Sequence, residues 1–378
     1  MSAARPSPEA APLRVVIAPD SFKGSLTSVE VATALADGWR VARPDDEVLL
    51  APLADGGEGT LVAIEAAGGW QWRTTEATDP IGRRVAARWL RSADGRQAVV
   101  ELAEASGLSR LTPDERDPLG ASTQGTGEVL RAVLDDGARG ITLGIGGSAT
   151  TDGGGGILRA LGASIDDGRV DLARLDPRLA EVDLRIACDV TNPLLGTTGA
   201  AATYGPQKGA TPEDVERLDR DLGAFADALE AATGRRERDT PGAGAAGGTG
   251  FGLLCLRERF HSLELVPGVE VVMDAADLEG KLARADLVIT GEGRIDAQTA
   301  FGKTALGVAG AARAAGVPCI AVGGGVTPEG VEALAGLAIV VPATEQPTTL
   351  EAAMASGAAP LLRLGERLAA LISLGSPT

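Results

Sequence analysis

The chain has 378 residues, 44% of them hydrophobic and 23% charged, with 52 glycines and a formal net charge of −17. That is the balance of a globular protein, too long for one ordinary core at roughly 150 residues per domain. The sign of the charge argues against nucleic acid or an anionic membrane as partner, and no apolar run reaches the ~18 residues of a membrane-spanning helix.

The first twelve residues hold three prolines, one arginine and no apolar stretch. They read as a disordered tail and not a signal peptide, which together with three scattered cysteines points to a reducing cytoplasm. Residues 14–18 form an apolar strand that stops at Pro19-Asp20, and Thr27 with Glu30 reads as a capping box opening a helix to about residue 42. A second strand at 47–51 runs into the glycine-rich stretch 52–59, and another helix begins at Thr60. From about residue 78 the rhythm changes. Residues 85–90 and 97–102 flank Asp94-Gly95, the pattern of an antiparallel hairpin. The middle third is irregular, with a long amphipathic helix from about 212 to 232. At 286–290 a parallel rhythm resumes, continuing through 317–322 and 338–341 to a last helix after Ala359. This predicts an α/β protein with a discontinuous Rossmann-like parallel-sheet domain, residues 13–75 plus 283–378. A second α/β domain, residues 76–282, is inserted in it, and an interdomain cleft is the expected place for a ligand.

Five segments set charged residues among glycines just after an apolar strand: 18–25, 55–59, 144–154, 187–193 and 290–296. Ligands of open parallel sheets sit beyond the carboxyl ends of strands. Amides of glycine-rich turns cradle phosphates there, and neighbouring carboxylates offer the oxygen donors Mg²⁺ takes. Of 35 basic residues only four are lysines, and three of these, Lys23, Lys208 and Lys303, adjoin glycines in such loops. A compact ammonium is not freely exchanged for a guanidinium where it meets phosphate. The ingredients are those of phosphoryl transfer, in which positioning and charge neutralisation do most of the catalysis.

Other chemistries are disfavoured. The single histidine, His261, lies in a charged segment and reads as a surface residue, and no histidine cluster exists to bind zinc. Residues 242–247 match a dinucleotide fingerprint in letters but follow Pro241 and a charged stretch, not a strand. Gly302-Lys303-Thr304 resembles the end of a P-loop, yet Ala297 stands where its first glycine is required.

The loops 17–26, 52–60, 146–154, 189–194, 204–210, 242–248 and 291–296 resemble, in that order, the signature blocks of the type I bacterial glycerate kinases. The departures are the tail before Arg14, Leu195 and Thr197-Thr198. The resemblance implies a two-domain kinase that uses ATP and Mg²⁺ to convert D-glycerate to 2-phosphoglycerate by in-line transfer, as a monomer or homodimer. The alternatives are a kinase of another small hydroxy-acid and a non-catalytic metabolite-binding relative.

On this reading Asp189 takes the proton of the acceptor hydroxyl, and Lys23 steadies phosphate. Asp20, Ser21, Asp55, Arg294 and Asp296 contact the acceptor. Gly146, Gly147, Ser148, Thr150, Lys208 and Lys303 hold nucleotide phosphates, and Asp152 and Glu292 hold the metal. Two bland alternatives stand beside these. Arg294 would merely pair with Glu292 or Asp296, and Asp189 would merely cap its turn or bind metal.

Overall fold

A computed structural model describes residues 11–375, except 167, 302 and 303. In chain order the elements begin with β1 (Arg14–Pro19), α1 (Ser28–Ala42), β2 (Glu47–Leu50) and α2 (Thr60–Ala67). There follow β3 (Trp70–Thr78), β4 (Arg84–Ser92), β5 (Gln97–Glu101), α3 (Ala103–Ser106), α4 (Gln124–Asp135) and β6 (Gly140–Gly144). Next are α5 (Gly155–Ala160), β7 (Ser164–Asp166), β8 (Arg169–Asp171), β9 (Asp183–Ala187), α6 (Ala200–Tyr204), α7 (Pro212–Thr233) and α8 (Ala245–Cys255). The remainder is β10 (Ser262–Val266), α9 (Gly268–Ala275), α10 (Leu278–Leu282), β11 (Leu287–Ile295), α11 (Thr304–Ala315), β12 (Cys319–Val326), α12 (Pro328–Ala333), β13 (Ile339–Pro342), α13 (Leu350–Ala355) and α14 (Ala359–Gly375).

Among the described residues two compact units result, one within residues 1–54, 62–68 and 272–378, the other within 55–61 and 69–271. The first is built on a five-stranded sheet, β13-β12-β11-β1-β2, parallel throughout. Parallel strands covered by helices must be apolar on both faces, and Val15, Val16, Ile17 and Ala18 of β1 are all fully buried. The core joins Val15 and Ile17 to Val31, Leu35 and Trp39 of α1 and to Leu361, Leu364 and Leu368 of α14. The Thr27–Glu30 capping box opens α1 as the sequence predicts, and Trp39 donates to Asp46, which also pairs with buried Arg43.

The second unit carries a six-stranded mixed sheet, β10-β9-β6-β5-β4-β3. The expected hairpin is β4 and β5, antiparallel with Trp89 opposite Val100, and β3 joins it antiparallel to β4, so residues 70–75 pair with the middle sheet. β5, β6, β9 and β10 run parallel. The long helix is α7, opened by a Thr211–Asp214 capping box and closed by left-handed Gly234.

One expectation needs correction. Residues 291–295 are not a loop, because β11 continues through them, paired with Gly323–Val326 of β12. His261 is exposed, and Cys255 and Cys319 are buried thiols pushed up to about 12 by desolvation. Among the described residues no helix is long and apolar enough to cross a membrane.

Candidate functional site

In the five-stranded unit, parallel pairing of β1 with β11 sets Pro19 beside Gly291, so Asp20 emerges next to Glu292. The Asp20 amide donates to the Gly291 carbonyl at 2.8 Å. Its carboxylate accepts from the Ser21 amide at 2.6 Å and from the Thr304 hydroxyl at 2.8 Å. The chain then closes on itself through reciprocal bonds between Phe22 and Leu26, which leaves Lys23 exposed at the turn. This turn lies directly on β11, where a Cβ at Gly293 would stand 3.1 Å from the Phe22 Cα. Glycine there permits the backbone-to-backbone approach.

Further along β11, Glu292 is buried and accepts from the Thr299 hydroxyl at 2.6 Å; the same oxygen of Thr299 accepts from the Asp296 amide at 3.2 Å. Arg294 does pair with Asp296, at 3.0 Å, but its side chain remains 70% exposed. One strand-end cluster therefore collects Asp20, Ser21, Lys23, Glu292, Arg294 and Asp296. Lys303 lies outside the described residues.

The second cluster sits on the six-stranded sheet. The parallel strands end in register, Glu101 beside Gly144, Gly144 beside Ala187, Ala187 beside Val266. Over these ends lies the loop 55–59. A Cβ on Gly56, already at φ +81°, would stand 2.5 Å from that of Ala187, and one on Gly146 would stand 2.5 Å from the Gly57 Cα. Larger residues at Gly56 or Gly146 would lift the loop off the sheet. Asp189 follows β9 and is exposed; its carboxylate accepts from the Gly268 amide, the first of α9, at 2.9 Å. A Cβ at Gly268 would overlap the Asp55 carbonyl, so Asp55 and Asp189 flank the same residue.

Residues 144–154 belong to the same six-stranded unit. Gly147 is left-handed and exposed, whereas Ser148 and Thr150 are buried. Asp152 accepts from the Thr123 amide and hydroxyl at 2.9 and 2.8 Å and from the Gly154 and Gly156 amides, both at 3.1 Å. Four protein donors thus surround its carboxylate, which fastens the start of α5 to α4. Lys208 is 1% exposed, beneath the loop, with its ammonium donating to the Thr150 carbonyl at 2.5 Å. Burial pulls that ammonium down to about 7, against an opposing pull from Asp152. The glycine run 242–248 also packs here. Ala246, Gly247 and Gly248 are left-handed, and a Cβ at Gly247 would overlap the Thr150 carbonyl.

Asp55, Asp189, Gly146, Gly147, Ser148, Thr150, Asp152 and Lys208 therefore belong to the six-stranded unit. The two carboxylates assigned to metal, Asp152 and Glu292, lie in different units. Among the described residues no group of three or more His, Cys, Asp or Glu side chains is placed to hold a metal ion.

Sequence reasoning missed Glu101, the last residue of β5. It is 5% exposed and accepts from the Leu61 amide at 2.6 Å. Desolvation pushes its carboxyl up to about 7. The available signal was an acidic residue closing the apolar run 98–100.

The model of the glycerate kinase family matches residues 15–373. The chain is 46% identical to a glycerate kinase of Haemophilus influenzae, covering 82% of this chain and 86% of that one. It is 40% identical to the glycerate 2-kinase of Escherichia coli, covering 96% and 99%. A crystal structure from Salmonella typhimurium, assigned as glycerate kinase 2, superposes with a TM-score of 0.83 at 43% identity, covering 97% of this chain and 99% of that one.

Proposed function

The chain belongs to the glycerate kinase family, and from that premise we propose that it phosphorylates D-glycerate at its 2-hydroxyl with ATP. The observation that carries the reading is the carboxyl edge of the six-stranded sheet. There Gly144 and Gly146 lie against the backbone of the 55–59 loop, and Asp55 and Asp189 both adjoin Gly268. Such an edge offers amides to phosphate oxygens and a carboxylate to a hydroxyl.

Asp189 receives the hydroxyl proton as the acceptor oxygen bonds to the γ-phosphorus and the bond to the ADP oxygen breaks. The Gly268 amide fixes the carboxylate's direction. Amides of residues 146–148 bind the transferred phosphate group, and Lys208 acts from beneath by holding the Thr150 carbonyl. Arg294 suits the acceptor's planar carboxylate, and Lys23 suits phosphate as a point charge.

Mg²⁺ takes hard oxygen donors, usually one or two carboxylates together with phosphate oxygens and water. Glu292, sharing a strand end with Asp20 and Asp296, fits that donor chemistry better than Asp152, whose carboxylate already has four protein donors. When bound, the ion neutralises phosphate charge. A cytoplasmic location suits these substrates.

The test is ADP release with D-glycerate, L-glycerate and no acceptor, followed by phosphorus NMR of the product. Release stimulated by D-glycerate with a 2-phosphate signal is the expected result. Turnover of another hydroxy-acid at least tenfold faster would overturn the substrate.

A further inference from the structure

Glu101 has a position that packing alone does not require. It ends β5 at the edge where ligands of parallel strands collect, yet it is directed inward, 5% exposed, at the junction of the 55–59 loop with α2. The Leu61 amide donates to it at 2.6 Å and the Gly59 amide donates as well. Gly59 is left-handed at φ +94°, the turn that carries the loop into the helix. A buried carboxylate is costly unless hydrogen-bonded, and these two amides are also donors that the first turn of a helix leaves without intrahelical partners.

We propose that Glu101 is a positioning residue for the 55–59 loop, its carboxylate gripping the Gly59 and Leu61 amides so that Asp55 and Glu58 stay over the ends of β6 and β9. The proposal rests on the kinase reading above for its effect on turnover, but the grip itself does not.

The charged groups around Glu101 are Glu104 of α3, Glu58 of the loop and Arg88 of β4. The Arg88 guanidinium is engaged by Glu104 at 2.7 Å, so the backbone amides hold the Glu101 charge. Desolvation and the two glutamates raise its carboxyl to about 7 while the amides oppose them. Ionised, it accepts both amides. Because its carboxyl lies above the value of an opened, solvated loop, protonation favours the closed arrangement and acid should not release it; the grip is therefore tested at pH 8, where the carboxylate is ionised.

The experiment is hydrogen exchange of the peptide spanning residues 55–61 at pH 8, run on the wild-type chain, Glu101→Gln and Glu101→Asp, with kcat/KM for D-glycerate at the same pH. Expected are protection at least threefold weaker in Glu101→Gln than in the wild type, and turnover reduced up to about a hundredfold, the scale of a misplaced active group. Glu101→Asp, which keeps the carboxylate, should recover part of both. Wild-type protection in Glu101→Gln, or protection in Glu101→Asp no better than in Glu101→Gln, overturns the proposal. If Glu101→Gln fails to fold, exchange of residues 55–61 in the wild type as fast as in an unstructured peptide overturns it. A wild-type chain inert toward D-glycerate refutes the kinase reading while the exchange arm still decides the grip.

Discussion

Asp189 and Lys208 are two charged residues with opposite surroundings. Asp189 is exposed, with one oxygen fixed by the Gly268 amide. A positioned base contributes about 10²–10⁴ in rate, so Asp189→Asn should lower kcat by that much and leave ATP affinity, read by calorimetry, nearly intact. An unchanged kcat excludes it as the base, and a lost Mg²⁺ dependence reassigns it to the metal. Lys208 is an ammonium deep under the 144–154 loop, lowered to about 7 because burial disfavours its charge. In the unfolded chain it keeps its proton up to its ordinary value of 10.5. Between those values the unfolded state binds more protons, so this residue's contribution to stability rises with pH; it is complete above 10.5 and lost as pH falls through about 7. Lys208→Met removes the slope. The urea midpoint of the wild type minus that of the variant should therefore increase from pH 7 to pH 9.5. A constant or shrinking difference would mean that Lys208 stays charged inside the fold.

Between elements, contact distance decides the sign of a substitution. Gly38 of α1 and Gly365 of α14 allow the two helices to meet backbone to backbone: a Cβ at Gly38 would overlap the Leu362 carbonyl, and one at Gly365 the Leu35 carbonyl. In an exposed helix, glycine to alanine stabilises by about 1 kcal/mol. Here overlap with a rigid carbonyl outweighs that gain, and Gly365→Ala should destabilise by roughly 1–3 kcal/mol in urea unfolding. A more stable variant would contradict the close approach. The same distinction between near and far explains what the sequence made legible. The α1 capping box, the β4–β5 hairpin and α7 depend on residues a few positions apart, and each can be read from the letters. Residues 291–295 read as a loop because their glycines signal one; they extend because β12 supplies a partner about thirty residues later. Lys208 reads as a phosphate ligand from its glycine-flanked loop, and nothing beside it in sequence reveals the Thr150 carbonyl 58 positions away. Beyond closing an apolar run, Glu101 carries no signal in the letters for the same reason, its partner Leu61 being 40 residues distant.

For the molecule as a whole, the balance to be tested is between a global field and two local ones. The chain carries a net charge of −17, while the proposed acceptor and nucleotide are both anions. Exposed Lys23 and Arg294 supply positive charge at one strand-end cluster, but Arg294 is already paired with Asp296. Exposed Asp55, Glu58 and Asp189 add negative charge at the other. Long-range repulsion should therefore dominate the encounter, and only short-range hydrogen bonds should favour the bound state. Charges separated by up to the Debye length interact, about 30 Å at 0.01 M salt and about 8 Å at 0.15 M. Raising an inert salt across that range screens the distant carboxylates first and spares contacts within a few ångströms. With free Mg²⁺ held constant, kcat/KM for D-glycerate should rise several-fold between 10 and 150 mM salt, with kcat little changed. A steady fall over the same range would show that local attraction at Lys23 and Arg294 governs capture, and neutralising Lys23 should then abolish the fall.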